Sequence, residues 1–289
     1  MADLITYRDA VAMGIAREMR RDPTVVCLGE DIGAAMTGLR PVAEIMFSDF
    51  LACCFDYVAN EIPKMRYMTG GQVTVPLVIR TANGGGLGFG AQHSQAVENW
   101  VLAVPGLKIV APSTPADMVG LMASAIRSDD PVVVFEHKKL LASKGEPPPE
   151  EHVVPLGAAE VRRRGDDVTL VALAATVPTA LEAADRLAGD GISAEVVDLR
   201  CLVPLDARAV LDSVARTSRL VIVEENPYQG GWGGTLASIV AEEGFYDLDA
   251  PIARVAGECV PLPFAANLED VVVPTVDRVV ERARRTVAD

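Results

Sequence analysis

Short, nearly continuous apolar runs alternate along this chain with stretches in which apolar residues recur every third or fourth position. Val11, Ile15 and Met19, with Ala12 and Ala16 beside them, mark one face of a first helix that Thr6 begins and Asp9 supports in its first turn. Residues 24–28 and 41–47 then read as strands. A helix is predicted over 49–66 from Leu51, Cys54, Phe55, Val58 and Ile62, with Pro63 ending or kinking it. Residues 75–80 and 107–111 are further strands. Thr114, Pro115 and Asp117 supply the cap, the first-turn proline and the first-turn acid of a helix whose apolar positions are Met118, Leu121, Met122, Ala125 and Ile126. Residues 131–136 close this half as a strand. Apolar strands alternating with helices predict a parallel sheet covered on both faces.

Residues 143–155 contain three consecutive prolines and several charges, which predicts an extended, exposed linker. The alternation then resumes, with strands at 168–173, 194–199, 220–223 and 252–255. Helices are predicted at 176–188 and 206–215, from the glycine cluster at 230–234 through 241, and at 276–287. The expected fold is α/β with two domains, each a mainly parallel sheet flanked by helices. Their bounds are 1–142 and 156–289, joined by the linker 143–155, and 289 residues suit two such domains.

Composition narrows the function. A net charge of -14 argues against non-specific binding of nucleic acid and against anionic membrane surfaces. No apolar run reaches the length of a membrane span, and the N-terminus lacks the pattern of a signal peptide. The five cysteines show no zinc or CxxC spacing, so buried free thiols and a reducing cytoplasm are expected.

The strongest candidate chemistry follows the strand at 75–80. Gly84, Gly85, Gly86, Gly88 and Gly90 lead into Ala91-Gln92-His93-Ser94-Gln95. Glycine permits positive φ and close backbone approach, and histidine exchanges protons near neutral pH. A flexible turn with a hydrogen-bonded histidine fits the local pattern equally well. The run matches neither GxGxxG nor GxxxxGK[ST], so it is no evidence for a phosphate loop of either kind. The second cluster, Gly230 to Gly234, suits a helix-start turn packed on a neighbour better than an anion site.

Longer motifs carry a resemblance. Leu39-Arg40-Pro41-Val42-Ala43-Glu44, Phe47-Ser48-Asp49-Phe50, Lys64-Met65-Arg66-Tyr67-Met68-Thr69-Gly70-Gly71-Gln72 and Ala91-Gln92-His93-Ser94-Gln95 run in order. Pro105-Gly106-Leu107-Lys108, Pro112-Ser113-Thr114-Pro115, Asp130-Pro131-Val132, Ala250-Pro251-Ile252-Ala253-Arg254-Val255 and Val260-Pro261-Leu262-Pro263 follow. Together they resemble the β subunit of the thiamine-diphosphate-dependent E1 component of 2-oxoacid dehydrogenase complexes, over nearly the whole chain. Thr37-Gly38-Leu39-Arg40-Pro41 and Phe135-Glu136-His137-Lys138 lean towards its acetoin and pyruvate dehydrogenase members.

The resemblance implies a cytoplasmic enzyme subunit with a pyrimidine-binding domain and a transketolase C-terminal-like domain. The expected partners are an α subunit, in an α2β2 heterotetramer, and a lipoyl-bearing E2 core. The substrate would be a 2-oxoacid or acetoin, and the subunit would be inactive without α. It also implies thiamine diphosphate, with Mg2+ held mainly by the α subunit. His93 matches the catalytic histidine that handles protons in acyl transfer. Phe50 and Met46 match walls of the aminopyrimidine pocket, although spacing alone favours core packing for both. A structural potassium ion would rest on backbone carbonyls of Leu77, Ala125, Ile126, Ser128 and Asp130, with Ser128 in place of the usual acid. Two other readings stay open: a transketolase-like or deoxyxylulose-phosphate-synthase-like fragment, and a non-catalytic scaffold subunit.

The chain departs from the family between Glu30 and Gly38, where a loop, a strand and most of a helix are expected. A parallel crossover needs about a dozen residues or more, so a segment is missing at about 31–35. In the family that segment carries the glutamate that hydrogen-bonds the pyrimidine N1', and no residue here matches it. Either the protein carries residues beyond this sequence at that point or the deletion is real.

Overall fold

The computed structural model describes residues 4–28, 35 and 38–288. The chain begins with strand β1 (Ile5–Thr6) and helix α1 (Tyr7–Arg21), started by a capping box between Thr6 and Asp9. The first large sheet follows, from β2 (Val25–Leu28), β3 (Arg40–Ile45), β4 (Val78–Asn83), β5 (Lys108–Val110) and β6 (Val132–His137). These five are parallel, in the spatial order β5-β6-β4-β3-β2. All six residues of β6 are buried, as a strand covered on both faces requires.

Helices α2 (Met65–Met68) and α3 (Glu98–Leu102) lie on one side of this sheet, and α4 (Pro115–Arg127) packs with α1 on the other. Thr114 caps α4 and Pro115 opens it, as the sequence predicts. Gly14 brings α1 close to α4: a methyl there would stand 3.1 Å from Met122 Cβ. Glu18, buried between the two helices, is held by Arg127 at 2.8 Å and by Arg21. A short β7 (Lys144–Gly145) pairs antiparallel with β1.

The second sheet has the order β13-β12-β9-β10-β8, from β8 (Glu160–Arg163), β9 (Val168–Ala172), β10 (Ala194–Asp198), β12 (Leu220–Pro227) and β13 (Ala253–Gly257). Only the edge strand β8 is antiparallel. Helices α5 (Thr176–Gly189), α6 (Ala207–Thr217), α7 (Trp232–Glu243) and α9 (Val276–Ala288) pack on it, and α8 (Ala266–Val272) lies between β13 and α9 in the chain. The fold is thus α/β with two mainly parallel sheets.

The two halves interlock. β11 (Cys201–Val203), in the second half of the chain, adds antiparallel to β5 at the edge of the first sheet. One apolar core runs from Leu77, Ile109 and Phe135 to Val171, Leu199 and Leu236. Arg162 and Arg200 cross the same boundary to pair with Asp117.

Several expectations are corrected. The predicted helix over 49–66 is broken into a 3-10 segment (Ser48–Cys54), a π segment (Tyr57–Glu61) and α2. Leu51, Val58 and Ile62 are buried, but Phe55 turns outward. The first turn is drawn towards β4 because Ser48 Oγ donates to Asn83 Oδ1 (2.8 Å). Pro63 lacks the N–H that would continue the ladder.

The linker is fastened rather than free. Arg17 donates to the carbonyls of Pro148 and Pro149, and Val154 N–H donates to Gly120 O. Buried thiols are the minority: Cys27, Cys53 and Cys259 are exposed and Cys54 is half-buried. Only Cys201 is a core thiol, and burial pushes its pKa up to about 11. The segment expected to be missing at about 31–35 lies, Ala35 apart, outside the described residues. Its flanks are described: β2 and β3 are adjacent and parallel, with Val25 opposite Arg40, so only residues 29–39 connect them.

Candidate active site

Ligands of open parallel sheets bind beyond the carboxyl ends of the strands. Here β3, β4 and β6 lie side by side, and the segments leaving them meet. β3 delivers Met46, Phe47, Asp49 and Phe50; β4 delivers the glycine loop and His93; β6 delivers Lys138.

The glycines do specific work. Gly84 has φ +82°, and a methyl there would overlap the His137 ring. Gly86 (φ +87°), Gly88 (φ +68°) and Gly90 (φ +75°) keep the loop in the left-handed region that glycine alone enters without strain. The loop amides face carboxylates of the second half of the chain. Gly85 N–H donates to Glu225 Oε1 (2.6 Å), Gly86 N–H to Glu269 Oε1 (2.8 Å) and Gly88 N–H to Glu269 Oε2 (2.9 Å).

His93 is half-buried, walled by aromatic rings set edge-on. Its centroid lies 4.7 Å from that of Phe47 and 5.3 Å from that of Phe50, with interplanar angles of 90° and 86°. Phe89 packs on Phe47 at 5.7 Å. Phe50 is 36% exposed and Met46 64% exposed, so neither belongs to the core as spacing alone suggested. Exposed apolar side chains beside a histidine fit the faces of an aromatic heterocycle such as the aminopyrimidine of thiamine.

Beneath this wall lies a polar layer. Asn83 Nδ2 donates to Glu98 Oε1 (2.7 Å), and its Oδ1 accepts from Val97 N–H. Asn226, from β12, donates to the other oxygen of Glu98 (3.1 Å). Burial pushes the Glu98 carboxyl above its ordinary value. His137 Nδ1 accepts Lys139 N–H, leaving Nε2 to donate to Glu225 Oε2 (2.7 Å). Burial opposes charge on Glu225, but His137 and Gly85 N–H hold its carboxyl below the usual range. Lys138 is 4% exposed, with Nζ 5.5 Å from the centre of the Phe47 ring. Burial lowers its pKa although Asp49 and Glu225 favour its charge. Gln95 Nε2 donates to Asp49 Oδ1 (2.8 Å).

The sequence marked His93, Phe50 and Met46, and the structure brings His93 and Phe50 together. The sequence did not mark Phe47, Lys138, Glu98, Glu225 or Glu269. Lys138 and Phe47 stand inside quoted motifs, but their contact depends on the pairing of strands far apart in sequence.

The expected potassium positions lie around the turn after α4, and each carbonyl accepts a hydrogen bond from the protein. Ile126 O and Ser128 O accept from the Arg40 guanidinium, each at 2.7 Å. Leu77 O accepts Val132 N–H, Ala125 O accepts Ser128 N–H, and Asp130 O accepts Ser128 Oγ. Each of these carbonyl oxygens accepts one such bond and keeps a second lone pair. Among the described residues, no three His, Cys, Asp or Glu side chains are grouped to hold a metal. At the second glycine cluster, Gly233 N–H donates to the buried Glu224 (2.7 Å), which Arg254 also pairs. That cluster is a helix-start turn closed on an internal carboxylate.

Comparison with known proteins agrees with this architecture. Residues 32–144 match the family described as transketolase, pyrimidine binding domain, and residues 157–279 match transketolase, C-terminal domain. The chain is 46% identical over 253 residues to the acetoin:2,6-dichlorophenolindophenol oxidoreductase subunit beta of Bacillus subtilis, covering 88% of this chain and 74% of that one. It is 38% identical to the 2-oxoisovalerate dehydrogenase subunit beta of the same organism, with 99% of each covered. Similarity to the mitochondrial pyruvate dehydrogenase E1 component subunit beta-1 of Arabidopsis thaliana is 39%, covering 97% and 89%. A solved split-gene transketolase, described as an inactive beta4 tetramer, shares the fold with a TM-score of 0.81 at 24% identity, covering 98% of each chain. The alignment to the oxoisovalerate subunit spans 325 positions against 289 residues here, so that relative carries at least 36 residues that this sequence lacks.

Proposed function

The chain belongs to the E1 β subunits of 2-oxoacid and acetoin dehydrogenase complexes, and from that membership we propose that it builds one half of a thiamine diphosphate site, which an α subunit completes. Thiamine diphosphate would supply the nucleophile and the electron sink for decarboxylating a 2-oxoacid or cleaving acetoin. Phe50 and Met46 offer it apolar faces and keep water from the ring. His93, held edge-on by Phe47 and Phe50, gives a proton from a ring nitrogen to the lipoyl sulfur released as the disulfide opens and the other sulfur takes the acyl group.

The observation that carries this reading is His93 at the carboxyl ends of three adjacent parallel strands, beside apolar side chains exposed to solvent. Magnesium belongs to the α subunit in this reading, and the lipoyl arm to a separate E2 core. The compartment we propose is the cytoplasm; no described helix is long and apolar enough to cross a membrane.

Co-expression with its α subunit is expected to yield an α2β2 particle by light scattering. A chain that purifies alone from that mixture would contradict the reading. The second reading, a non-catalytic scaffold, draws on the absent pyrimidine glutamate and gains ground only if the deletion is real.

A further inference from the structure

The loop that carries His93 closes on itself through only two backbone hydrogen bonds, Gly84 N–H to Gln95 O and His93 N–H to Gly90 O. Gly84, Gly86, Gly88 and Gly90 all sit at positive φ, and glycines bring no side chains to pack. Such a stretch carries the largest entropic cost of ordering, and its amides need acceptors. Gly84 N–H and His93 N–H find carbonyls within the loop, but the acceptors for Gly85, Gly86 and Gly88 come from far along the chain. Glu269, on α8, is 2% exposed and takes Gly86 N–H on one oxygen and Gly88 N–H on the other. It thereby fixes the two residues that flank Leu87, the second of them, Gly88, shortly before His93 in the chain. The neighbours leave little slack: a methyl on Gly85 would come within 3.0 Å of Leu262 Cδ2, and one on Gly88 within 3.2 Å of Phe264 O.

We propose that Glu269 is a positioning residue for His93: its carboxylate clamps the Gly86–Gly88 backbone, so that the second half of the chain sets where the imidazole stands. This rests on the reading of His93 as the group that protonates the lipoyl sulfur. A charged carboxylate is required because both oxygens must accept. In Glu269→Gln the amide nitrogen presents hydrogens to one backbone N–H, which opens that end of the clamp. In Glu269→Asp the shorter side chain reaches one amide at most.

Both variants are to be made in the full α2β2 complex, with hydrogen exchange and two assays as readouts. Exchange at Gly86 and Gly88 is expected to rise about tenfold or more, since the lost charge-assisted bonds are what protect those amides. The rate of acyl transfer to the lipoyl acceptor is expected to fall about tenfold to a hundredfold, the scale of a small misplacement of a catalytic group. The rate with an artificial dye acceptor, which needs no lipoyl protonation, and KM for the 2-oxoacid should hold at the level of the unmodified complex. A structural role alone would lower both rates together.

If both variants keep acyl transfer while His93→Ala loses it, the positioning role is overturned and the reading of His93 stands. If His93→Ala itself keeps acyl transfer, that reading falls, and the exchange rates alone decide whether Glu269 holds the loop. Unchanged exchange at Gly86 and Gly88 would sink the clamp outright.

Discussion

His93→Ala is expected to slow acyl transfer to a lipoyl acceptor by about 10²- to 10⁴-fold, the contribution of a positioned general acid. The stability cost should be smaller. The ring makes edge contacts with Phe47 and Phe50, and such aromatic pairs are worth about 0.5–1.5 kcal/mol each. A loss of about 3–5 kcal/mol of transition-state stabilisation therefore stands against about 1–3 kcal/mol of folding energy. Single-turnover acyl transfer and thermal unfolding on the same preparation separate the two. A variant that transfers acyl groups at the unmodified rate would remove His93 from the mechanism.

The second large effect concerns the connection between β2 and β3. The strands are parallel neighbours, and residues 29–39 must carry the chain from the end of one to the start of the other. Such a return requires about a dozen residues or more and usually a helix. The alignment to the oxoisovalerate subunit leaves at least 36 of that relative's residues without a counterpart in this sequence. At this chain's mean residue mass, 30.6 kDa over 289 residues, they add about 4 kDa. The intact mass of the protein purified from its own gene is accordingly expected near 34–35 kDa, about 4 kDa above the 30.6 kDa of this sequence. The additional residues should include the glutamate for the pyrimidine N1'. A measured mass of 30.6 kDa would make the deletion real. Decarboxylation in the assembled complex would then be expected to lie about 10²- to 10⁴-fold below that of a chain given the relatives' segment, because proton transfer at the pyrimidine would lack its partner.

Much of this was legible in the sequence, for a physical reason. Strands buried on both faces are nearly continuous apolar runs, so 132–135 and 168–172, Thr169 apart, announce a parallel sheet without any knowledge of neighbours. Thr114, Pro115 and Asp117 act within one turn, so the start of α4 is local information. Gly84 also signalled its constraint, since only glycine tolerates both its φ and the His137 ring beside it.

What stayed hidden depends on contacts distant in sequence. The apolar spacing of residues 49–66 is helical, yet Ser48 bonds to Asn83 and Pro63 interrupts the ladder, so the segment breaks. β11 has too few residues to announce itself, and its partner β5 lies about ninety residues earlier. The roles of Glu225 and Glu269 as acceptors for loop amides follow only from the docking of the two halves. In the sequence they are two acids among 40.

Calorimetric titration with thiamine diphosphate and magnesium tests most directly whether this chain supplies half a cofactor site. The chain alone should give no heat of binding, and an equimolar mixture with its α subunit should bind one cofactor per αβ pair. Equal binding by the isolated chain, or none by the mixture, would contradict the account.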